Sequence, residues 1–183
     1  MGTADDAYRF IVLRGGICSD EDYPFTGTLG VCKASRDGIA ATIDGYCKVN
    51  IDEQALKCAV ATQPVAVSLC INGSFKAQRG VGIFKGKTGT VKHGAVIIGY
   101  GTENGVDYWL LKNSWGPNWG EDGCFRIQRN VTEIGGKCGV AMHAFFPVKL
   151  GVNCHIADNL NIVEYCHYPK RRGKWLDDEL LGW

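Results

Sequence analysis

Two apolar runs, residues 94–100 and 106–112, flank the dipeptide Asn104-Gly105, and this feature restricts the fold of the chain more tightly than any other. Asn-Gly suits a two-residue hairpin turn, because both central positions of that turn need positive φ. The segment therefore reads as an antiparallel hairpin. With its centre near Glu103, it brings His93 and Asn113, each ten residues away, close to one another across adjacent strands. Residues 65–71, VAVSLCI, have the β-branched content of a strand, and residues 123–129 and 143–149 read as further strands. Residues 4–14 read as a short amphipathic helix with Ala7, Phe10, Ile11 and Arg14 on one side and Gly15-Gly16 as its stop. A second helix is expected near residues 52–61, capped by Asp52, with Ala55, Leu56, Ala59 and Val60 as its apolar side. Residues 17–45 are loop-rich, with turn signals at Tyr23-Pro24, Gly27, Gly30 and Asp37-Gly38. Beyond Lys149 no period is visible. The class is α+β.

Bulk properties narrow the function. Lys plus Arg is 20 and Asp plus Glu is 19, a net charge of +1. That balance argues against a nucleic-acid partner. No apolar stretch is long enough to span a membrane, and the opening MGTADDAYRF has neither the basic nor the apolar region of a secretory signal. The cysteines point elsewhere. There are nine in 183 residues, at positions 18, 32, 47, 58, 70, 124, 138, 154 and 166, with no CxxC pair. That density is unusual for a cytosolic protein. Asn72-Gly73-Ser74 and Asn130-Val131-Thr132 fit the pattern for N-glycosylation. Cys154-His155 and Cys166-His167 hold four ligand types, but adjacent residues rarely converge on one ion, so no metal and no cofactor are expected. The KRRGK run at 170–174 reads as solvated surface.

A histidine facing an amide suits thiol chemistry. The imidazole takes a thiol proton and holds the thiolate as an ion pair, while the amide oxygen accepts the other ring N–H and fixes the tautomer. By spacing alone, a half-exposed His beside a surface Asn is the commoner arrangement, since cross-strand polar pairs are frequent.

The neighbouring residues favour the catalytic reading. The segments KHGAVIIGYG (92–101) and YWLLKNSWGPNWGEDGCFRIQRN (108–130) resemble the papain-like cysteine proteases, and the phrasing around 19–68 is most similar to plant members. GGICSDEDYPFTG (15–27), IDGY (43–46), QPVAVS (63–68), GIF (82–84) and CGVAM (138–142) match in the same order. The resemblance implies an incomplete papain-like fold. Residues 1–45 would be the later part of the helical domain, 46–149 an antiparallel β-barrel-like domain, and 150–183 a tail foreign to the family. It also implies peptide-bond hydrolysis, with His93 as general base and acid, Asn113 as its orienting amide and Trp115 as the indole that covers their hydrogen bond and lines the leaving-group side of the substrate cleft. Trp119 would pack beside that indole, although two tryptophans would bury large areas in any fold. Ser68, Val91, Gly94 and His143 would line a substrate subsite. The implied partners are a peptide or protein substrate or a cystatin-type inhibitor, and the implied locations are vacuole, lysosome or secretion.

The chain also departs from the pattern. The family's nucleophile signature, CG[SA]C[WY], does not occur in these residues; it is expected about 130–150 residues before the histidine, with the oxyanion glutamine ahead of it. The expectation is a truncated family domain, inactive alone, or a non-catalytic module that binds peptides or inhibitors. By the resemblance, Cys32 lacks its partner and the partner position of Cys138 is Thr88, so none of the family's disulfides is expected. Lys92, where the family often carries an acid or amide, would disfavour the imidazolium.

Overall fold

The hairpin forms as its turn residues require. In the computed structural model, which describes residues 2–77, 81–152 and 161–167, Asn104 and Gly105 take φ values of 50° and 76°. In chain order the elements are α1 (Ala4–Arg14), β1 (Ile17–Cys18), β2 (Ile39–Ala41), β3 (Gly45–Val49), α2 (Glu53–Val60), β4 (Val65–Ile71), α3 (Gly73–Ala77), β5 (Ile83–Phe84), β6 (Val91–Glu103), β7 (Val106–Lys112) and β8 (Cys124–Gln128). A 3-10 turn (Lys137–Gly139), β9 (Ala144–Val148) and β10 (Val163–His167) complete it. Eight strands form one open sheet in the order β10-β3-β9-β4-β6-β7-β8-β5, and β1 pairs with β2 separately. The pairs β4–β6, β4–β9, β6–β7 and β7–β8 are antiparallel. The two-residue strand β5 runs parallel to β8, against the expectation of a wholly antiparallel sheet.

The described residues fall into two compact units. The larger comprises residues 47–146 and 161–165. Its core follows from period-2 patterning. Val65, Val67, Leu69 and Ile71 of β4 are buried while the residues between them are not, and Ile97, Leu111, Trp109, Phe125 and Ile127 are buried on the neighbouring strands. Helix α2 presents Ala55, Leu56, Ala59 and Val60 to this core, as its sequence pattern predicts. Asp52 caps it, with Oδ2 accepting from Ala55 N–H at 2.7 Å.

The smaller unit comprises residues 2–46, 147–152 and 166–167. Helix α1 starts in a capping box: Asp6 N–H donates to Thr3 Oγ1 at 3.2 Å and Thr3 N–H to Asp6 Oδ2 at 3.1 Å. It ends at Gly15 in the left-handed region. Gly16 has no room for a side chain, since a Cβ there would lie 2.4 Å from Ile39 Cγ2 and 2.7 Å from the Ala41 carbonyl oxygen. No residue of α1 is buried, and Phe10 and Leu13 are about half exposed. An open cavity of about 470 Å³ lies between α1, β1 and Tyr23, with Phe10, Ile11, Ile17 and Ile39 on its walls.

The structure corrects three expectations. The stretch read as loop holds β1 and β2. The aperiodic stretch after Lys149 holds β10, which joins the sheet beside β3. Cys47 and Cys166, on those adjacent strands, are disulfide-bonded, so the chain is not depleted of disulfides. Cys166 is thereby removed from the pool of metal ligands. Residues 154–155 and 170–174 lie outside the described residues.

Candidate active site

His93 stands near the start of β6, where Leu69 of β4 is its cross-strand partner. Asn113 follows the last residue of β7 and is 9% exposed. Their meeting depends on a bulge. The hairpin register runs regularly from Glu103↔Val106 to Gly99↔Leu110, then shifts between Ile97 and Gly99 to Val96↔Lys112. Continued beyond Lys112, that register sets Asn113 opposite Ala95, one same-face position from His93. The two are diagonal neighbours rather than directly opposed, within reach for long side chains.

The side chains meet. His93 Nε2 lies 2.9 Å from Asn113 Oδ1. The same oxygen accepts from Ser114 N–H at 2.8 Å. A backbone N–H can only donate, so the atom it faces is oxygen. The imidazole nitrogen on that oxygen must then donate too. The proton therefore sits on Nε2, and Nδ1 keeps its lone pair for a proton elsewhere. Asn113 Nδ2 is buried with no partner among the described residues.

The indoles are held over this pair by a closed loop. Asn113 N–H donates to Gly123 O at 2.8 Å, and Gly123 N–H donates to Trp119 O at 2.8 Å. Trp115 lies 4.7 Å from the His93 ring, centroid to centroid, tilted by 40°. Trp119 meets Trp115 edge to face at 4.7 Å and 86°. Phe75 of α3 packs against both, at 6.2 and 6.0 Å, and edge-on against Phe84 and Phe125. These rings exclude water from one side of the His–Asn bond, which strengthens it. The base of the loop is fixed by charge. Glu121 accepts from Arg126 Nη2 at 2.7 Å and Nε at 2.8 Å, and from Gly82 N–H at 3.0 Å. The Arg126 guanidinium, first among these, holds the Glu121 carboxyl below its ordinary value.

Of the residues assigned to a subsite, three come together. Ser68 and Gly94 are direct cross-strand partners, and Ser68 N–H donates to His143 O at 3.0 Å. Val91 pairs with Ile71 at the far end of the ladder and is more than half exposed. Gly94 follows His93, so the two residues face opposite sides of β6. Lys92 shares the side of Gly94 and is exposed, so its charge is turned from the imidazole and screened by solvent. Sequence reasoning missed Phe75 and the Glu121–Arg126 anchor. Asn72 is the overlooked signal for Phe75, since its Oδ1 accepts from Phe75 N–H at 3.1 Å and starts α3.

Burial pushes the Cys138 thiol up to about 11, which makes it inert as a nucleophile. Among the described residues, no group of three or more His, Cys, Asp or Glu side chains could hold a metal ion. Among them also, no helix is long and apolar enough to cross a membrane.

Known proteins resemble this chain over most of its length. The family model described as papain family cysteine protease matches residues 1–148. Cysteine proteinase COT44 of Brassica napus is 48% identical over 155 residues, 83% of this chain and 47% of that protein. Oryzain beta chain of Oryza sativa is 45% identical over 155 residues, 83% of this chain and 33% of that protein. Bromelain from Ananas comosus, solved in complex with the E64 inhibitor, superposes with a TM-score of 0.74 at 36% identity, covering 81% of this chain and 70% of that one. A ragweed pollen cysteine protease in its proform gives 0.74 at 40% identity, over 80% of this chain and 45% of that one. The chain spans about half the length, or less, of these first curated relatives.

Proposed function

The chain belongs to the papain family of cysteine proteases, and from that premise we propose that it carries the proton-transfer half of a thiol peptidase site. The observation that carries this reading is the bond from His93 Nε2–H to Asn113 Oδ1 under Trp115, which leaves His93 Nδ1 free. In the reaction, Nδ1 takes the proton of a thiol as that thiol attacks a peptide carbonyl. It then returns the proton to the leaving amine, which gives an acyl-thioester that water hydrolyses with Nδ1 as base. Asn113 holds the ring so that Nδ1 faces the thiol, and Trp115 shields the bond that does so. Ser68, Gly94 and His143 form part of the wall for a substrate side chain, with Val91 beyond them.

The thiol and the oxyanion donor belong to a segment of the family domain that these 183 residues do not include. The chain by itself is therefore a non-hydrolysing part of the site. A dipeptidyl fluorogenic substrate tests this directly. No turnover is expected from the 183-residue chain, and turnover abolished by an epoxide thiol-protease inhibitor would overturn the reading. Adding the family's thiol-bearing segment as a separate chain is expected to restore inhibitor-sensitive hydrolysis in the wild type and not in H93A.

A second reading rests on the surviving wall. Ser68, Gly94 and His143 are assembled without the thiol, so the chain can bind an extended peptide or a cystatin-type inhibitor without cutting it. Saturable binding of a cystatin to the purified chain, weakened by substituting His143, is the expected result; no binding counts against it. The family and the Cys47–Cys166 bond favour folding in an oxidising secretory lumen, with vacuole, lysosome or the exterior as destination.

A further inference from the structure

We propose that Asn130 is the acceptor for an N-linked oligosaccharide and that Asn72, although it has the same sequence pattern, is not. Asn130-Val131-Thr132 begins two residues after the end of β8, and both Asn130 and Thr132 are exposed. Asn130 has φ 57°, a left-handed conformation that Asn tolerates at a turn, so its side chain leaves the strand direction. Its Nδ2 donates to Asp107 Oδ2. A glycosylated amide nitrogen still carries one N–H, so this bond and the sugar are compatible.

Asn72 is placed differently. It is half-buried, and both ends of its amide are used. Oδ1 accepts from Ser74 Oγ at 2.6 Å and Phe75 N–H at 3.1 Å, while Nδ2 donates to Lys87 O at 3.0 Å. The bond to Lys87 alone would leave an N–H for a sugar, as at Asn130, but Asn72 is half-buried and its Oδ1 starts α3, so a sugar there would disturb the helix that carries Phe75 beneath the two indoles. The Cys47–Cys166 disulfide independently places maturation in an oxidising lumen, where oligosaccharide transfer occurs. In that transfer the Asn130 amide nitrogen bonds to the anomeric carbon of a lipid-linked oligosaccharide diphosphate. The carbon–oxygen bond to phosphate breaks, its electron pair leaves with the diphosphate, and the amide proton passes to a base of the transferase.

The test expresses the whole chain behind a cleavable secretory signal in plant cells, as wild type, N130Q, T132A and N72Q. Total lumenal protein is collected, so a variant that fails to fold is still read. A glycosidase-sensitive mobility shift is expected in the wild type and N72Q and is lost in N130Q and T132A, with the glycopeptide mass assigned to Asn130. T132A keeps the Asn130 side chain and its bond to Asp107, so loss of the shift there reports on transfer. A wild type without the shift, or a shift retained by N130Q or T132A, overturns the proposal.

Discussion

Asn113 Oδ1 receives two donors, and that single atom decides the state of the imidazole. The expected outcome at this scale is spectroscopic. Nitrogen NMR of the labelled chain near pH 8 should show His93 as the Nε2–H tautomer, and N113A should give a mixture of both tautomers, because the acceptor is gone. A wild-type spectrum with Nδ1 protonated would refute the orientation argued above. The cysteines offer a second test. Cys138 is 1% exposed, with its thiol pushed up to about 11 by burial, whereas Cys32 and Cys58 are exposed. Native alkylation at pH 8 should label Cys32 and Cys58 and spare Cys138 until the protein unfolds, as peptide mass mapping would record. His93 and Asn113 were legible from their spacing about a turn dipeptide, since a hairpin converts separation along the chain into distance. The contribution of Phe75 was not, because its contacts join α3, β5, β8 and the loop after β7, which lie far apart in the chain.

Elements with strong local signals formed where residue chemistry placed them. Helix α2 has its cap at Asp52 and its apolar side inward, and D52A should lower stability by about 1 kcal/mol in urea unfolding. Strand β4 alternates as VAVSLCI predicts, and L69A, which empties a fully buried position, should cost about 2–5 kcal/mol. The loop from Asn113 to Gly123 has an electrostatic anchor with a defined pH dependence. Glu121 has its folded pKa below the ordinary 4.5, so the stability it contributes is complete above that value. It is lost as pH falls through the depressed folded value. Titrating from pH 5 to pH 2 should loosen the indoles, seen as a change in tryptophan fluorescence, and E121Q should lack that transition. The short elements β1, β2, β5 and β10 were not legible. β1, β2 and β5 have two or three residues, too few to show a period, and β10 lies in a stretch with no visible period; such strands exist only because a partner edge supplies hydrogen bonds.

At the scale of the whole chain, the covalent link between Cys47 and Cys166 constrains the unfolded state. It closes a long loop, and its reduction should lower stability by roughly 2–5 kcal/mol, with a matching loss in C47S. Equal stability with and without reductant would remove the bond from the account. The sequence by itself determined the α+β class, the family, the hairpin and the His93–Asn113 pairing, all of which rest on local patterning or on a dense motif. Cysteine arithmetic could not find the partner of Cys47, because pairing depends on which strands become neighbours, and β10 gave no periodic signal. Tertiary structure alone decided the bulge at Ile98, which brings Asn113 onto the face of His93, as its diagonal neighbour. It also decided which Asn-x-Ser/Thr triplet stays exposed at the surface. Both outcomes arise from long-range packing, where a residue's surroundings come from distant parts of the chain.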